Sequence, residues 1–343
     1  MAKIDKTYYD LLLDILQHGY KYEDPNREGV QRLEIPSYTF RYEFKDGFPA
    51  ITTKKLHYKN VVTELIWFLR GDTNIKYLID NGCNIWNKDA YNYFKKQYPK
   101  LMTSLARNMN MFIEQVKEQT SIEGVYTFGD LGPVYGHQWR NFNGVDQIQR
   151  LITNLKEKPM ATDHIVNSWN VGDLENMALP PCHYGFQVVI KPINNEVGIN
   201  PQRWNLTTGE ITDLPKYGFE LHWQQRSVDT FLGLPYNIAS YATLALILEK
   251  ITGYKALAIQ GDLKKVHLYD NSLDAVKEQL SRDVDKHSNC RLLGADLTEL
   301  MDEFDDKPFD LNYFVSELEP ELFELENYKS YPYIKVEMLE RDE

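Results

Sequence analysis

Residues 236 to 252, YNIASYATLALILEKIT, constrain the fold of this 343-residue chain more than any other stretch. The segment has helical character and is amphipathic only at its ends, so as a helix it must be covered by protein on most sides. That demands layers around it. Apolar positions at helical spacing recur over 7 to 18 and more strongly over 60 to 70, NVVTELIWFLR, followed by a GDTN turn and a second helix near 75 to 81. A further helical segment is expected at 273 to 281. Strand candidates are 38 to 44 (YTFRYEF), 183 to 192 (HYGFQVVIKP) and 219 to 225 (FELHWQQ), each rich in aromatic or β-branched residues and bounded by turn formers. Strands and helices are interspersed without a βαβ rhythm, which points to an α+β fold with a mixed sheet and packed helices.

No repeat, low-complexity linker or clean boundary divides the chain, so a single domain spanning 1-343 is expected. Residues 87 to 128 are polar, rich in Tyr, Lys, Asn and Met, and read as a mostly helical insertion on a compact core. A smaller insertion is expected around 191 to 218, and the acidic run 296 to 326 reads as a solvated peripheral face. The net charge of −12 argues against a generic polyanion binder, so an anionic substrate must be met by a local cluster of Arg and Lys. Cys83, Cys182 and Cys290 are too few and too scattered for a disulfide framework or a zinc site, and no metal is implied. The first residues lack the pattern of a secretory signal, and no apolar run approaches the roughly 18 to 20 residues of a membrane span. Together these features lead to an expected cytoplasmic location.

The sharpest local signal is Leu179-Pro180-Pro181-Cys182-His183-Tyr184-Gly185, where two prolines stiffen the approach to a cysteine at the start of a strand. A rigid backbone can hold a thiol at a fixed angle. The alternative is a buried structural cysteine, since free Cys is among the most buried residue types. Gln225-Arg226-Ser227-Val228-Asp229 sets a cation, a hydroxyl and an acid at a strand end, before Gly233-Leu234-Pro235-Tyr236-Asn237 opens the central helix. Such a cluster can hold an anion and a heterocycle, and an arginine near a cysteine favours thiolate. It also fits an ordinary ion pair with a helix cap.

Taken in order, VVTELIWFLRGDTNIKYL, GDLGPVYGHQWR, ALPPCHYGFQ, QRSVDTFLGLPYNIASY and VHLYDN resemble the thymidylate synthase superfamily, which includes the pyrimidine nucleotide hydroxymethylases. GFPAITTKKLH at 47 to 57 and NYKSYPYIK at 327 to 335 extend the match over most of the chain outside the insertions and the acidic run. The resemblance implies a thymidylate synthase-like fold, a homodimer, a pyrimidine deoxynucleotide monophosphate as substrate and 5,10-methylenetetrahydrofolate as cofactor. No membrane or nucleic acid partner is implied. By the same resemblance Cys182 adds to C6 of the pyrimidine, which makes C5 nucleophilic, and Glu64, Tyr135 and His183 move protons at O4 and C5. Arg226 and Arg27 match the arginines at the phosphate, with Gln225 and Ser227 beside them. Asn237 matches the asparagine that reads the N3 and O4 edge of uracil, because an amide can accept from N3–H and donate to O4. His267 and Tyr269 match the pair at the ribose 3′-hydroxyl. Trp86, Asp229 and Gly233 match contacts to the folate rings, and Lys54 is a candidate for the folate's glutamyl tail.

The chain also departs from that family. Aligning IVNSWN at 165 to 170 puts Thr162 and Asp163 where consecutive arginines normally reach the partner subunit's phosphate, and a carboxylate there would be repulsive. Lys264-Lys265 replace the Gly-Asp that usually precedes the ribose-binding histidine, which motivates the hypothesis that these lysines supply part of the missing charge. The second tryptophan of the folate segment is replaced near Asp89, the C-terminal HP appears as Ser330-Tyr331-Pro332, and the apolar end is replaced by Met338-Leu339-Glu340-Arg341-Asp342-Glu343. A charged tail could admit water to the one-carbon intermediate. The favoured expectation is therefore a deoxyuridylate hydroxymethylase of the kind used in phage DNA modification, acting in the host cytoplasm if virus-encoded. Thymidylate synthase is the alternative. A catalytically weak nucleotide- or RNA-binding homologue is a third reading.

Overall fold

The computed structural model describes residues 3–100, 106–119, 121–122, 126–193, 202–204, 211–213, 215–287, 291–294, 297–304 and 307–339. Cys290, most of the 191 to 218 insertion and the tail beyond Leu339 lie outside the described residues.

A mixed sheet of seven strands forms the frame. Its members are β1 (Tyr20–Glu23), β2 (Gln31–Glu43), β3 (Ile165–Asn167), β4 (His183–Pro192), β5 (Tyr217–Gln225), β6 (Val228–Asp229) and β7 (Lys255–Tyr269). They run in the order β1-β2-β7-β5-β4-β3, with β6 pairing the end of β7. The β7–β5 and β7–β6 pairs are parallel, and the others are antiparallel. Helices α1 (Lys3–His18), α2 (Tyr58–Arg70), α3 (Tyr135–Arg140) and α4 (Leu234–Thr252) do most to position the site. Ile4, Tyr8, Leu11, Leu12 and Ile15 form the buried stripe of α1 at spacings of a helical face.

The expected all-round burial of the 236 to 252 helix is realised in α4, which packs between the sheet and α2. Pro235 sits in its first turn, where a missing N–H costs nothing, and Gly253 ends it at φ 70° in the left-handed region. The core is one contiguous cluster running from Ile4 to Ile334. No helix among the described residues is long and apolar enough to cross a membrane.

Three expectations need correction. First, the longest strand of the sheet, β7, lies where no strand is expected. Its sequence KALAIQGDLKKVHLY mixes helix formers with polar residues, a register irregularity falls between Ala256 and Ala258, and Lys265 takes φ 48°, so the alternation that marks a strand is broken. Second, β2 begins at Gln31, ahead of the expected 38, and carries Pro36 within it. Pro36 lies opposite Lys265 in the register, next to that backbone irregularity, which is where a strand tolerates a missing N–H. Third, the acidic run is amphipathic, because Leu311, Phe314, Val315, Leu318 and Phe323 are all buried in the core.

The 87 to 128 insertion holds the helices Asn87–Gln97 and Met109–Lys117 and a small hairpin pairing Ser121–Ile122 with Tyr126–Thr127. Its polar composition conceals an aromatic core, in which Phe94 stacks on Phe128 at 4.4 Å and Phe112 packs beside both.

Candidate active site

Cys182 ends the loop that feeds β4, and its neighbours are fastened by backbone contacts. The Arg226 guanidinium donates from Nε to the Pro181 carbonyl and from Nη2 to the Pro180 carbonyl, both at 2.8 Å. The Arg226 N–H donates to the Cys182 carbonyl at 2.8 Å, and the Cys182 N–H donates to the Tyr135 hydroxyl oxygen at 2.7 Å. The prolines restrict the loop, and the arginine closes it. Cys182 itself stays partly exposed, and the Arg226 guanidinium lies 5.3 Å from the centre of the Trp169 ring. Trp169 was not among the expected site residues, although it stands in the IVNSWN motif.

Behind the thiol lies a set of buried proton-bearing groups. His183 stacks on Tyr135 at 4.3 Å, and its Nδ1 shares a hydrogen bond of 2.8 Å with the Tyr241 hydroxyl. Burial pushes His183 down to about 3, so the ring is neutral at ordinary pH, and pushes the Tyr135 phenol well above its usual range. Because the Tyr135 oxygen already accepts from Cys182, its proton remains to donate. Glu64 of α2 accepts from the Trp86 indole N–H at 2.7 Å, and burial raises its carboxyl to about 7. Tyr241, also absent from the expectation, lies four residues after Asn237 on α4. That spacing puts both on one helix face and was the available signal.

The structure brings Gln225, Asn237 and Ser227 together at the end of β5. The Gln225 amide donates to Asn237 Oδ1 at 3.2 Å and to the Ser227 carbonyl at 3.1 Å, which orients Asn237 and leaves its NH₂ group without a partner among the described residues. Asp229 and His267 face each other across β6 and β7. His267 Nδ1 bonds to the Lys265 carbonyl at 2.8 Å, while its Nε2 is buried with no protein partner among the described residues. A buried nitrogen without a partner is rare and marks a place for a ligand hydroxyl. Beside it, Tyr269 accepts from Arg32 at 3.2 Å and lies under the Arg27 guanidinium at 5.0 Å. Asp24 holds both arginines, at 2.9 Å to Arg27 and 2.6 Å to Arg32. Burial opposes ionisation of Asp24, but the Asn26 N–H and the arginines outweigh it and hold the carboxyl at about 2.

At the other end, Asp229 Oδ1 accepts from the N–H groups of Phe231 and Leu232 at 3.0 and 2.9 Å. Its second oxygen makes no hydrogen bond among the described residues, and the residue as a whole is half-buried. A Cβ on Gly233 would come within 3.1 Å of the Asp229 carbonyl. A carboxylate oxygen without a partner among the described residues, beside a narrow glycine turn, fits a flat heterocycle bearing N–H donors. Lys54 does not reach outward as a tail contact requires. It is 3% exposed, and its ammonium donates to the Phe231 carbonyl while lying 3.5 Å over the Phe231 ring.

Thr162 and Asp163 are both exposed, and Asp163 pairs with Arg150 at 3.4 Å. The hypothesis that Lys264 and Lys265 restore phosphate charge is narrowed. Lys265 is paired at 3.0 Å with Glu34, whose carboxylate is wholly buried and also accepts from Tyr20 and Tyr22. Of these two lysines, Lys264 has no hydrogen-bond or ion-pair partner among the described residues. Within the same residues, no grouping of His, Cys, Asp and Glu is arranged to hold a metal ion.

A family model described as Thymidylate synthase matches residues 6–340. The chain is 41% identical over 277 residues to the thymidylate synthase of Mycoplasma mobile and to that of Mycoplasma genitalium, each match covering 81% of this chain and 85% of the relative. Its identity to the thymidylate synthase of Phytoplasma mali is 34% over 278 residues, at the same coverage.

Proposed function

Because the chain belongs to the thymidylate synthase family, whose members are folate-dependent one-carbon transferases, we propose that it converts dUMP to thymidylate. This revises the hydroxymethylase expectation. The relatives carry the name thymidylate synthase. The observation that carries the reading is a partly exposed Cys182 whose carbonyl is tied to Arg226, next in the chain to the Gln225 that bonds Asn237, together with a His267 Nε2 that has no partner among the described residues.

In this reading the Cys182 thiolate adds to C6 of the uracil ring, and the electron pair moves to C5 and O4. Asn237 donates to O4 and accepts from N3–H, which stabilises the charge developing there. His267 Nε2 bonds the ribose 3′-hydroxyl, and Arg27 and Arg226 face the phosphate. Bound 5,10-methylenetetrahydrofolate supplies the one-carbon unit and the hydride, with Trp86, Asp229 and Gly233 holding its rings. Glu64, with a carboxyl near 7, can take or give a proton at neutral pH, which suits it to the transfers at O4 and C5. Tyr135 and the neutral His183 orient the proton path. Expulsion of Cys182 from C6 then releases the product. A homodimer in the cytoplasm is part of the same proposal.

Incubation of the purified protein with dUMP and 5,10-methylenetetrahydrofolate, followed by mass analysis, tests it. Thymidylate with dihydrofolate supports the proposal. Hydroxymethyl-dUMP with tetrahydrofolate would return the favour to the hydroxymethylase, and no adduct or turnover to the weak homologue.

A further inference from the structure

The stretch Thr52-Thr53-Lys54 takes no part in the thiol chemistry, yet it is fastened from three sides. Asp5 of α1, itself 0% exposed, accepts from the Thr52 N–H and hydroxyl, both at 2.7 Å, and from the Thr53 N–H at 3.2 Å. Gln279 donates to the Thr53 hydroxyl at 2.8 Å, and Arg282 donates to the Thr53 carbonyl at 2.7 Å. From the C-terminal segment the Tyr331 N–H reaches the Thr52 carbonyl at 2.8 Å, and Arg282 also binds the Pro332 carbonyl at 2.8 Å. Lys54 projects inward from this anchor.

What Lys54 grips is the turn after Asp229. Its ammonium donates to the Phe231 carbonyl, while the Phe231 N–H is bonded to Asp229 Oδ1. The same turn is held a second time from α1, where the Tyr8 hydroxyl donates to the Thr230 carbonyl at 2.8 Å. Burying an ammonium is costly unless it is hydrogen-bonded or paired, and the Phe231 carbonyl and ring are the contacts that offset the cost here. Here burial lowers Lys54 to about 7, with Asp229 opposing the shift.

We propose that Lys54 is a positioning residue for the cofactor end of the site: it fixes the 229 to 233 turn so that Asp229 and Gly233 are preset for the folate rings, and it does not bind the anionic glutamyl tail. The inference rests on the reading of the chain as folate-dependent. A tail contact would act on charge at the far end of the ligand, whereas a positioned turn acts on the rings shared by every folate.

The test uses the full chain, its Lys54→Met variant, which keeps the stem and removes the charge, and Tyr8→Phe, which removes only the second strut. Affinity is measured for a tetrahydropteroate, which has no glutamyl group, and for a polyglutamyl tetrahydrofolate in the presence of dUMP, and for dUMP alone by calorimetry. Lys54→Met should weaken both ligands by the same factor, about 10-fold, and Tyr8→Phe by about 3-fold, as expected for lost hydrogen bonds, with dUMP affinity within about twofold. Weakening confined to the polyglutamyl form would overturn the proposal in favour of a tail contact. Equal loss of dUMP affinity would overturn it in favour of general collapse, and unchanged folate affinity in both variants would also overturn it. An unaltered protein that binds dUMP but no folate would sink the functional reading itself, and that control separates the two failures.

Discussion

Cys83 and Cys182 carry the same thiol in regions built to opposite ends. Cys83 follows the Gly82 turn and is wholly buried, with its sulfur 3.9 Å from the Asn60 carbonyl. Burial, with the nearby charge of Glu64, pushes its thiol up to about 12. Cys182 sits at the mouth of a strand, partly exposed, with the carbonyls of the two prolines before it tied to Arg226. The first region spends its surroundings on packing, so the sulfur is an apolar filler. The second spends charged hydrogen bonds on holding a loop whose side chain is left accessible. Reactivity follows from backbone restraint with access, and not from the residue type.

Substitution at the two positions should break this symmetry most visibly. Cys182→Ala should lower kcat on the order of 10⁴-fold or more, as expected when a covalent nucleophile is lost. Cys83→Ala should leave kcat within severalfold and cost about 1–2 kcal/mol of stability from the small cavity, read by denaturant unfolding. Comparable losses of kcat at both sites would end the distinction. Arg226→Lys should come next, with a fall in kcat/KM of about 100-fold in steady-state assays, because a point charge cannot bridge the Pro180 and Pro181 carbonyls as a planar fork does.

The charge of Glu64 acts both on Cys83 and on Tyr135, which bonds the Cys182 N–H, and it sharpens the contrast through pH. Its carboxyl is raised from 4.5 to about 7, so the folded state holds the proton more tightly than the unfolded chain. Stability from this group is therefore full below 4.5 and is lost as pH rises toward 7. Glu64→Gln should flatten that slope and remove the kinetic limb near neutrality, while lowering kcat about 100-fold. A retained limb would assign it to another group. His183 works in the other direction, since its folded value near 3 lies below the usual 6.5. Its contribution is present above 6.5 and is lost as pH falls toward 3, a loss that His183→Gln should abolish in acid unfolding curves. The smallest expected effect is on labelling. In a Cys290→Ser background, iodoacetamide should modify Cys182 first and reach Cys83 only on unfolding, as mass mapping would report.

Several elements were legible because local chemistry and tertiary role agree. The strand β4 is expected and observed over the same residues, 183 to 192, since its alternation matches a half-buried strand. The 236 to 252 helix announced its own burial. β7 was hidden for the converse reason, because a central position in the sheet overrides the helix-forming bias of its alanines, leucines and lysines. The aromatic core of the 87 to 128 insertion was masked by the polar residues that cover it.

The order of the motifs in the sequence was enough to identify the family, and the roles proposed for Cys182, Arg226, Asn237 and His267 rest on that resemblance. The direction of each side chain was decided only by the tertiary structure. Lys54 turns inward because Asp5, 49 positions before it in the chain, holds the preceding threonines. Lys265 is spent on Glu34 because β2 and β7 lie side by side, and His267 keeps a free nitrogen because the Lys265 carbonyl takes the other. Pairings between residues far apart in the chain exist only after the layers have packed, and they set which charges remain for a ligand.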